Sequence, residues 1–407
     1  VPRTLTLRDL APEELGGAHV LVRVDYNVPL TPRGEVGDRT RIEATLPTLR
    51  HLAEAGARSV LVSHLGRPDG APDPDYSLAP VARVLSDLLG REVPLVKESP
   101  GSPELEDRVK ALVDGEALLL ENIRFLAGET DNDPELAKSL GRLGTVFVGE
   151  AFGAAHRAHA STVGAARAIR VGGGRAVAGQ LMERELRFLG EALADPERPF
   201  VAVLGGAKIS GKIDLIEAIL PRVDRLLVGG AMANTFFRAL GLNTGASLVE
   251  ADRVEMAGEL LERAGDRLLL PTDCVVAPEI ADDVSTRTVD RTEVEEGDRI
   301  ADIGPLSREI FASEIAGART IVWNGPMGVF ESPPFAAGTE HVARAIARAA
   351  DGGAMAVVGG GDSVAAAEMA GVIERMTHVS TGGGAALDLM AGKSLPGVEV
   401  LETEEED

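Results

Sequence analysis

One cysteine, Cys274, is all the thiol chemistry this chain carries. A single thiol excludes an internal disulfide, a cysteine-cluster metal site and any CxxC redox pair. The expected state of Cys274 is buried and inert. Aromatic residues are also scarce, at 3% of the chain, and lysine is rare, so arginine supplies most of the positive charge. No excess of positive charge exists: the formal net charge is −23. A chain so acidic is not expected to bind nucleic acid through phosphate neutralisation, which needs basic surface. No apolar run approaches the length of a membrane span, and the start lacks a signal-peptide pattern. These absences predict a soluble cytoplasmic protein with neither membrane nor nucleic acid as a partner.

What is present is length and glycine. At 407 residues the chain has room for two or three domains, and a hydrophobic content of 44% supports substantial cores. In the first half, HVLVRVDYN (19–27), RSVLVSHLGRP (58–68), ALLLENIRF (117–125) and TVFVGEAFGAAHRAH (145–159) each read as a short β-rich run ending in polar residues. Helical patterns lie between them at roughly 39–55, 78–90 and 133–143, the last with Asp133 as an N-cap before Pro134. Strands alternating with helices indicate βαβ units and a parallel sheet. The polar residues at the strand exits, Asp25, Asn27, His64, Arg67, Arg124, His156, Arg157 and His159, are therefore candidates for a site, together with Arg41. Several arginines at the ligand edge of one sheet point to a cup for a small, highly charged anion, because the guanidinium fork matches phosphate and carboxylate. His156-x-x-His159 lacks a third ligand at zinc-like spacing, which disfavours a metal pair.

VGGGRAVAGQLMERELRFLGEAL (171–193) reads as loop glycines leading into a long helix, which marks a domain boundary. Beyond it, FVAVLGG (200–206), DRLLVGGAMANTF (224–236), RLLLPTDCVVA (267–277), TIVWNGPMG (320–328) and AMAVVGGGDS (354–363) read as strands, mostly running into glycine. Glycine between a strand and a helix lets backbone N–H groups approach phosphate oxygens. The stretch IVWNGPMGVFE (321–331) is the clearest such exit, with Glu331 in reach of the same crevice and able to accept from a ribose. Gly206-Ala-Lys-Ile-Ser-Gly211-Lys212 meets the P-loop spacing until its last position, where Ile213 stands in place of the magnesium-binding Ser or Thr. The element still offers two lysines and flexible backbone to phosphates. GGGDSV (359–364) resembles a dinucleotide turn but puts Val364 where Gly or Ala packs helix on strand. Asp362 there is better placed to meet magnesium on a nucleotide's phosphates. The tail ETEEED (402–407) reads as an acidic, solvated end.

The set RVDYNVP (23–29), SHLGRP (63–68), LLLENIRF (118–125), AHRAH (155–159), GGAKISGK (205–212), WNGPMGVFE (323–331), GGGDS (359–363) and STGGGA (380–385), in this order, resembles phosphoglycerate kinase over essentially the whole chain. The resemblance implies an α/β protein of two Rossmann-like domains with parallel sheets facing across a cleft, joined by a helical connector. The expected boundaries are an N-terminal phosphoglycerate-binding domain at 1–180, a connector at 181–198 and a nucleotide-binding domain at 199–393. The tail 394–407 is expected to pack back on the first domain. By the same resemblance Asp25, Asn27, Arg41, His64, Leu65, Gly66, Arg67, Arg124 and Arg157 hold the phosphoglycerate. Lys208, Lys212, Asn324, Glu331, Gly360, Gly361, Asp362 and Ser363 serve ATP or ADP, with Asp362 at Mg2+. Gly229, Gly230, Pro326 and Val329 are implied for the adenine. Catalysis is expected from Arg41 and Lys208, with backbone N–H groups near Gly361 and Gly383, in a monomer exchanging a phosphoryl group between ATP and 3-phosphoglycerate. Two departures stand out: Gly211 where many members carry an acidic residue, and Ala231 where a third glycine is common. The competing readings are a catalytically silent nucleotide-binding scaffold and a dinucleotide-dependent oxidoreductase.

Overall fold

Six short runs of β-branched and leucine-rich sequence in the first half pair in parallel: β1 (His19–Arg23), β2 (Arg58–Val62), β3 (Leu95–Val96), β4 (Ala117–Leu120), β5 (Val146–Gly149) and β6 (Arg175–Ala178). Their order across the sheet is β3-β4-β2-β1-β5-β6. The strands are buried on both faces, as in β1 and β4, because crossover helices such as Leu46–Glu54 and Ala79–Leu89 cover the sheet. The structure, a computed structural model, describes residues 3–403. Its chain divides into two compact units: one runs to Arg187 and resumes at Ser394, and the other is Phe188–Lys393.

The second unit holds a second six-stranded parallel sheet and a small antiparallel one. The parallel sheet uses β7 (Phe200–Leu204), β8 (Arg225–Val228), β9 (Leu268–Leu269), β13 (Thr320–Asn324), β14 (Met355–Val358) and β15 (His378–Val379), and the antiparallel sheet uses β10 (Asp273–Ala277), β11 (Arg287–Asp290) and β12 (Arg299–Ile303). Their orders are β15-β14-β13-β7-β8-β9 and β11-β10-β12. The core of this unit is built from Val201, Val203, Ile321, Trp323 and Val358 with the apolar faces of the helices Pro305–Ala316 and Ala337–Asp351. Among the described residues no helix is long and apolar enough to cross a membrane.

In both sheets the strand order reverses beside the first strand. β1 lies between β2 and β5, and β7 lies between β8 and β13. Crossovers leave on opposite sides at such a point, so the loops diverge and open a crevice beyond the strand ends. The exits of β1 and β5 in the first unit, and of β7 and β13 in the second, therefore occupy the ligand-binding positions of this architecture.

Three local expectations are corrected. RAVA, read as part of a glycine loop, is the edge strand β6, paired with β5 from Val146↔Arg175 to Gly149↔Ala178. The helical pattern at 39–55 is two helices, Thr40–Glu43 and Leu46–Glu54. RLLLPTDCVVA is not one strand: Pro271 lacks the N–H a ladder needs, and the chain passes from β9 into β10 of the other sheet. Asp133 caps its helix as expected, its carboxylate accepting from the N–H groups of Glu135 and Leu136. The connector region is helical through Gln180–Glu185, a wider-turned stretch Leu186–Glu191 and Ala192–Ala194. Residues 394–403 lie in the first unit, where the Leu5 N–H donates to Leu401 O at 2.9 Å and the Gly397 N–H to Ala155 O at 2.8 Å. The acidic end 404–407 lies outside the described residues.

Glu150, at the exit of β5, holds the start of the helix Gln180–Glu185. Its carboxyl accepts from the Leu181 N–H at 3.1 Å, from the Met182 N–H at 3.2 Å and from the Thr48 hydroxyl. The group is fully buried, and burial pushes its pKa from 4.5 up to about 7 against these hydrogen bonds. Glu150→Ala strands three donors and is expected to cost about 2–4 kcal/mol in denaturant unfolding. Because the folded carboxyl binds its proton more tightly than the unfolded one, the contribution is full below about pH 4.5 and falls as pH rises towards 7. The difference between wild type and variant should shrink over that window.

Candidate functional site

In the first unit, Asp25 follows β1 and is nearly buried. Arg41, on the helix Thr40–Glu43, donates through Nη1 to Asp25 Oδ2 at 3.0 Å and to Asn27 O at 3.2 Å. The Asn27 side chain accepts from the Gly66 N–H at 2.9 Å, and Arg124 Nη1 donates to Gly66 O at 2.6 Å. Leu65 is fixed on both backbone groups by Asn122, whose Oδ1 accepts from its N–H at 3.2 Å and whose Nδ2 donates to its O at 2.7 Å. His64 is buried next to Asp25, with Nδ1 3.9 Å from Oδ1. Arg23 Nη2 donates to that Nδ1 at 3.2 Å, which makes it an acceptor and the ring neutral. Burial depresses the His64 pKa to about 3, and the neighbouring Arg23, Arg124 and Arg41 act in the same direction. Burial opposes ionisation of Asp25, but the charged Arg41 and Arg23 guanidiniums beside it hold its carboxyl below the usual range.

Arg67, Arg124 and Arg157 line a cavity of about 490 Å³ at the same edge, with Gly128 and Glu129 in its wall. Arg67 and Arg157 are exposed. Arg124 is half-buried, and its Nε has no hydrogen-bond partner. Burial lowers the Arg124 pKa, and the charges of Arg23 and Arg157 lower it further. Guanidiniums that repel one another across a cavity gain most from an anion placed between them. All nine residues expected around phosphoglycerate thus fall into one connected arrangement, Asp25, Asn27, Arg41, His64, Leu65 and Gly66 on one side and the three arginines around the cavity. The His159 ring stands 3.7 Å from Glu129, and no cluster of three metal-ligating side chains occurs among the described residues.

In the second unit the exits of β7, β8 and β13 are bonded to one another through backbone. The Gly205 N–H donates to Asn324 O at 3.0 Å, the Gly206 N–H to Pro326 O at 2.9 Å and the Gly230 N–H to Met327 O at 2.9 Å. Gly230 has φ +67°, and a Cβ there would lie 2.5 Å from Gly206 N, so neither the conformation nor the space admits a side chain. Gly229 is buried against Met327. Lys212 donates to Gly205 O at 2.8 Å and Asn324 O at 2.7 Å, leaving one of its three N–H donors. Burial lowers its pKa to about 8, opposed by the Asp362 charge. Asn324 Nδ2 donates to Gly359 O at 2.7 Å, and the Gly325 N–H donates to Ser363 Oγ at 2.5 Å, tying in the exit of β14. Gly360, at φ +91°, precedes the helix Gly361–Met369, whose first N–H groups have no intrahelical partner. Asp362 is exposed in its first turn. Val329 packs on Val275, Ala277, Ala301 and Phe335. Glu331 and Lys208 are exposed, and Gly383, at φ +50°, precedes the separate helix Gly384–Met390. The hydrogen bonds that join the exits include none of these three. Of the residues expected for an adenine slot, Gly230 lines a void of only about 10 Å³ beside Asn234 and Met327.

The element 206–212 differs from its expected role in one respect. The N–H groups of Ile209 and Ser210 do not face outward to a ligand; both donate to Glu250. Lys208 is left as its outward-facing charge.

The sequence matches the family model for phosphoglycerate kinase over residues 7–393. Similar relatives include the phosphoglycerate kinase of Thermus thermophilus, 55% identical over 400 residues, covering 98% of this chain and 99% of the relative. That of Chloroflexus aggregans is 52% identical over 404 residues, with the same coverage of both chains. Among solved structures, phosphoglycerate kinase from Coxiella burnetii aligns with a TM-score of 0.87 at 40% identity, covering 98% of this chain and 99% of that one. The enzyme from Pyrococcus horikoshii aligns at 0.83 and 34%, covering 98% of each. The chain belongs to the phosphoglycerate kinase family.

Membership in this family leaves the oxidoreductase reading without support, and Val364 sits in the helix Gly361–Met369 packed on the core. Four residues that shape the arrangement in the first unit were not among those expected. Arg23 and Asn122 stand inside the RVDYNVP and LLLENIRF motifs and are buried. Ser161 joins Arg23 to Glu129, accepting from Arg23 Nε at 2.7 Å and donating to Glu129 Oε1 at 2.6 Å. Glu129 and Ser161 carry no local signal in the sequence.

Both buried histidines are poorly suited to carry a proton near neutrality. His64 and His159 are depressed to about 3 and about 4, burial being the first cause of each. Turnover measured from pH 6 to pH 8 should therefore show no loss that tracks a histidine. An ordinary His titration in that window, abolished by His64→Asn or His159→Asn, would show one of these rings working as a base. The alkaline limb should instead follow Lys212, with nucleotide affinity falling above about pH 8.

Proposed function

We propose that this chain catalyses reversible phosphoryl transfer between ATP and the carboxylate of 3-phosphoglycerate, giving 1,3-bisphosphoglycerate and ADP, in glycolysis and gluconeogenesis. The observation that carries the reading is the cavity of about 490 Å³ lined by Arg67, Arg124 and Arg157 in a protein of net charge −23. Family membership supports it. The first unit takes the phosphoglycerate and the second the nucleotide, in a cytoplasmic monomer.

The acceptor carboxylate is already ionised near neutral pH, so no residue has to remove a proton from it. The work is to bring two polyanions together and to stabilise charge on the transferring group. Arg67, Arg124 and Arg157 bind the remote phosphate, and Arg41, oriented by Asp25, is set to meet the carboxylate end. On the nucleotide side, Lys208 and the N–H groups near Gly361 and Gly383 face developing charge, while Asn324, Lys212 and Ser363 hold the exits in register. Asp362 fits Mg2+: it is an exposed carboxylate at a helix start, and magnesium takes one or two carboxylates and completes its shell with phosphate and water. Bound with the nucleotide, the ion would neutralise phosphate charge. Because donor and acceptor are held by different units, transfer requires the units to close on one another, which also excludes water.

Grip and catalysis separate kinetically. Arg157 meets a phosphate that does not change during the reaction, so Arg157→Ala should raise KM for 3-phosphoglycerate more than it lowers kcat. Lys208→Ala should reduce kcat by roughly a hundredfold or more, the scale of losing one preorganised charge stabiliser. Steady-state kinetics on both variants tests this. A Lys208→Ala enzyme that kept its kcat and only weakened ATP binding would reduce Lys208 to a nucleotide contact.

A further inference from the structure

The loop that presents Lys208 is anchored by a carboxylate from elsewhere in the second unit. Glu250 lies 41 positions from Ile209 in sequence, yet its Oε2 accepts from the Ile209 N–H at 2.5 Å and from the Ser210 N–H at 3.1 Å. Its Oε1 accepts from the Ser210 hydroxyl. The Glu250 backbone is itself held, its N–H donating to the buried Thr235 hydroxyl at 3.2 Å. Two consecutive N–H groups converging on one anion form the kind of nest that binds phosphate in other proteins. Here the protein's own carboxylate fills it.

On the other side of Lys208, Gly206 is fixed by its N–H to Pro326 O at 2.9 Å and by its O, which accepts from the Met232 N–H at 3.0 Å. The Ile209 side chain is fully buried. Lys208 therefore stands between two fixed backbone positions while its own side chain is exposed. Among the described residues Glu250 makes no ion pair with Lys208 or Lys212, so it directs the loop without neutralising the charge that the loop presents. A four-carbon stem carries its ammonium wherever the backbone aims it, and a small misplacement of such a group is costly in rate.

We propose that Glu250 is the positioning residue for Lys208: by occupying the Ile209–Ser210 nest it fixes the backbone so that the Lys208 ammonium, and not the loop's N–H groups, meets the transferring phosphoryl group. This rests on the kinase reading above. Glu250 acts through Lys208 and does not touch the reacting atoms.

The test combines kinetics with amide exchange on the full chain. Glu250→Ala should lower kcat by roughly ten- to a hundredfold, with KM for 3-phosphoglycerate within roughly twofold of wild type, since the remote grip is untouched. Glu250→Gln keeps an acceptor for the nest and should retain most of the turnover. The pair Glu250→Ala with Lys208→Ala should be no slower than Lys208→Ala alone, because a residue acting through Lys208 has nothing left to position. Should Glu250→Ala fail to fold, Ser210→Ala removes only the hydroxyl leg of the anchor and should lower kcat by roughly two- to fivefold at unchanged KM. Normal kcat in Glu250→Ala or Ser210→Ala, or a double variant slowed by the product of the two single effects, would overturn the proposal. Hydrogen exchange at the Ile209 and Ser210 amides reads the anchor without any turnover: both should be protected in wild type and released in Glu250→Ala. Unprotected amides in wild type would refute the anchor itself, whereas an inactive wild type with protected amides would refute the kinase reading alone.

Discussion

The guanidinium of Arg23, buried at the end of β1, is the constraint from which the arginine-rich site of the first unit is built. A charge taken out of water is tolerated only when it is bonded and balanced, and removing one partner leaves the other uncompensated. Arg23 donates to Ser161 from one side and to His64 from the other, and also to the Val24 carbonyl. Glu129 and Asp25 supply the opposing charge. These contacts fix the exits of β1 and β2 and the segment after β5 relative to one another. They also keep His64 neutral and Asp25 ionised, so the carboxylate orients Arg41. The exposed Arg67 and Arg157 farther out are then not needed to balance the inner carboxylates, which are already committed to Arg23, Arg41 and Ser161.

The strand exits of the second unit solve a different problem with backbone in place of side-chain charge. Three strand exits approach closely enough to share hydrogen bonds; glycine at 205, 229 and 230 makes that approach sterically possible, and Gly206 supplies the positive φ. Lys212 sits in the middle with two donors on carbonyls, so much of its role is to hold the crevice together. Lys208, four residues earlier, has no such employment. The division between a lysine that braces and a lysine left exposed follows from which of them the carbonyls capture.

Much of this was legible in the sequence because it depends on local chemistry. A strand ending in Asn324-Gly325-Pro326 must turn there, and the doubled glycines at 205–206 and 229–230 mark close backbone approach before any coordinates are seen. The arginine set was legible because a strongly acidic chain has little other reason to gather guanidiniums at strand ends. What was not legible is nonlocal. Glu129, Ser161 and Glu250 are ordinary polar residues whose meaning comes from partners far along the chain, 32 positions away for Glu129 and Ser161 and 41 for Glu250 and Ile209. The strand β6 was hidden because RAVA is short and follows three glycines, and only its neighbour β5 makes it a strand. The antiparallel sheet was hidden because RLLLPTDCVVA is mostly apolar, and apolarity does not say which sheet a strand joins.

In the proposed reaction the protein supplies charge and position, and the acceptor's own carboxylate supplies the nucleophile. The most direct test is ADP release by the purified chain, with 3-phosphoglycerate and magnesium each present or withheld. The expected result is ADP formation that requires both, with 1,3-bisphosphoglycerate formed mole for mole. ADP formed at the same rate without 3-phosphoglycerate, or no ADP with every component present, would contradict it.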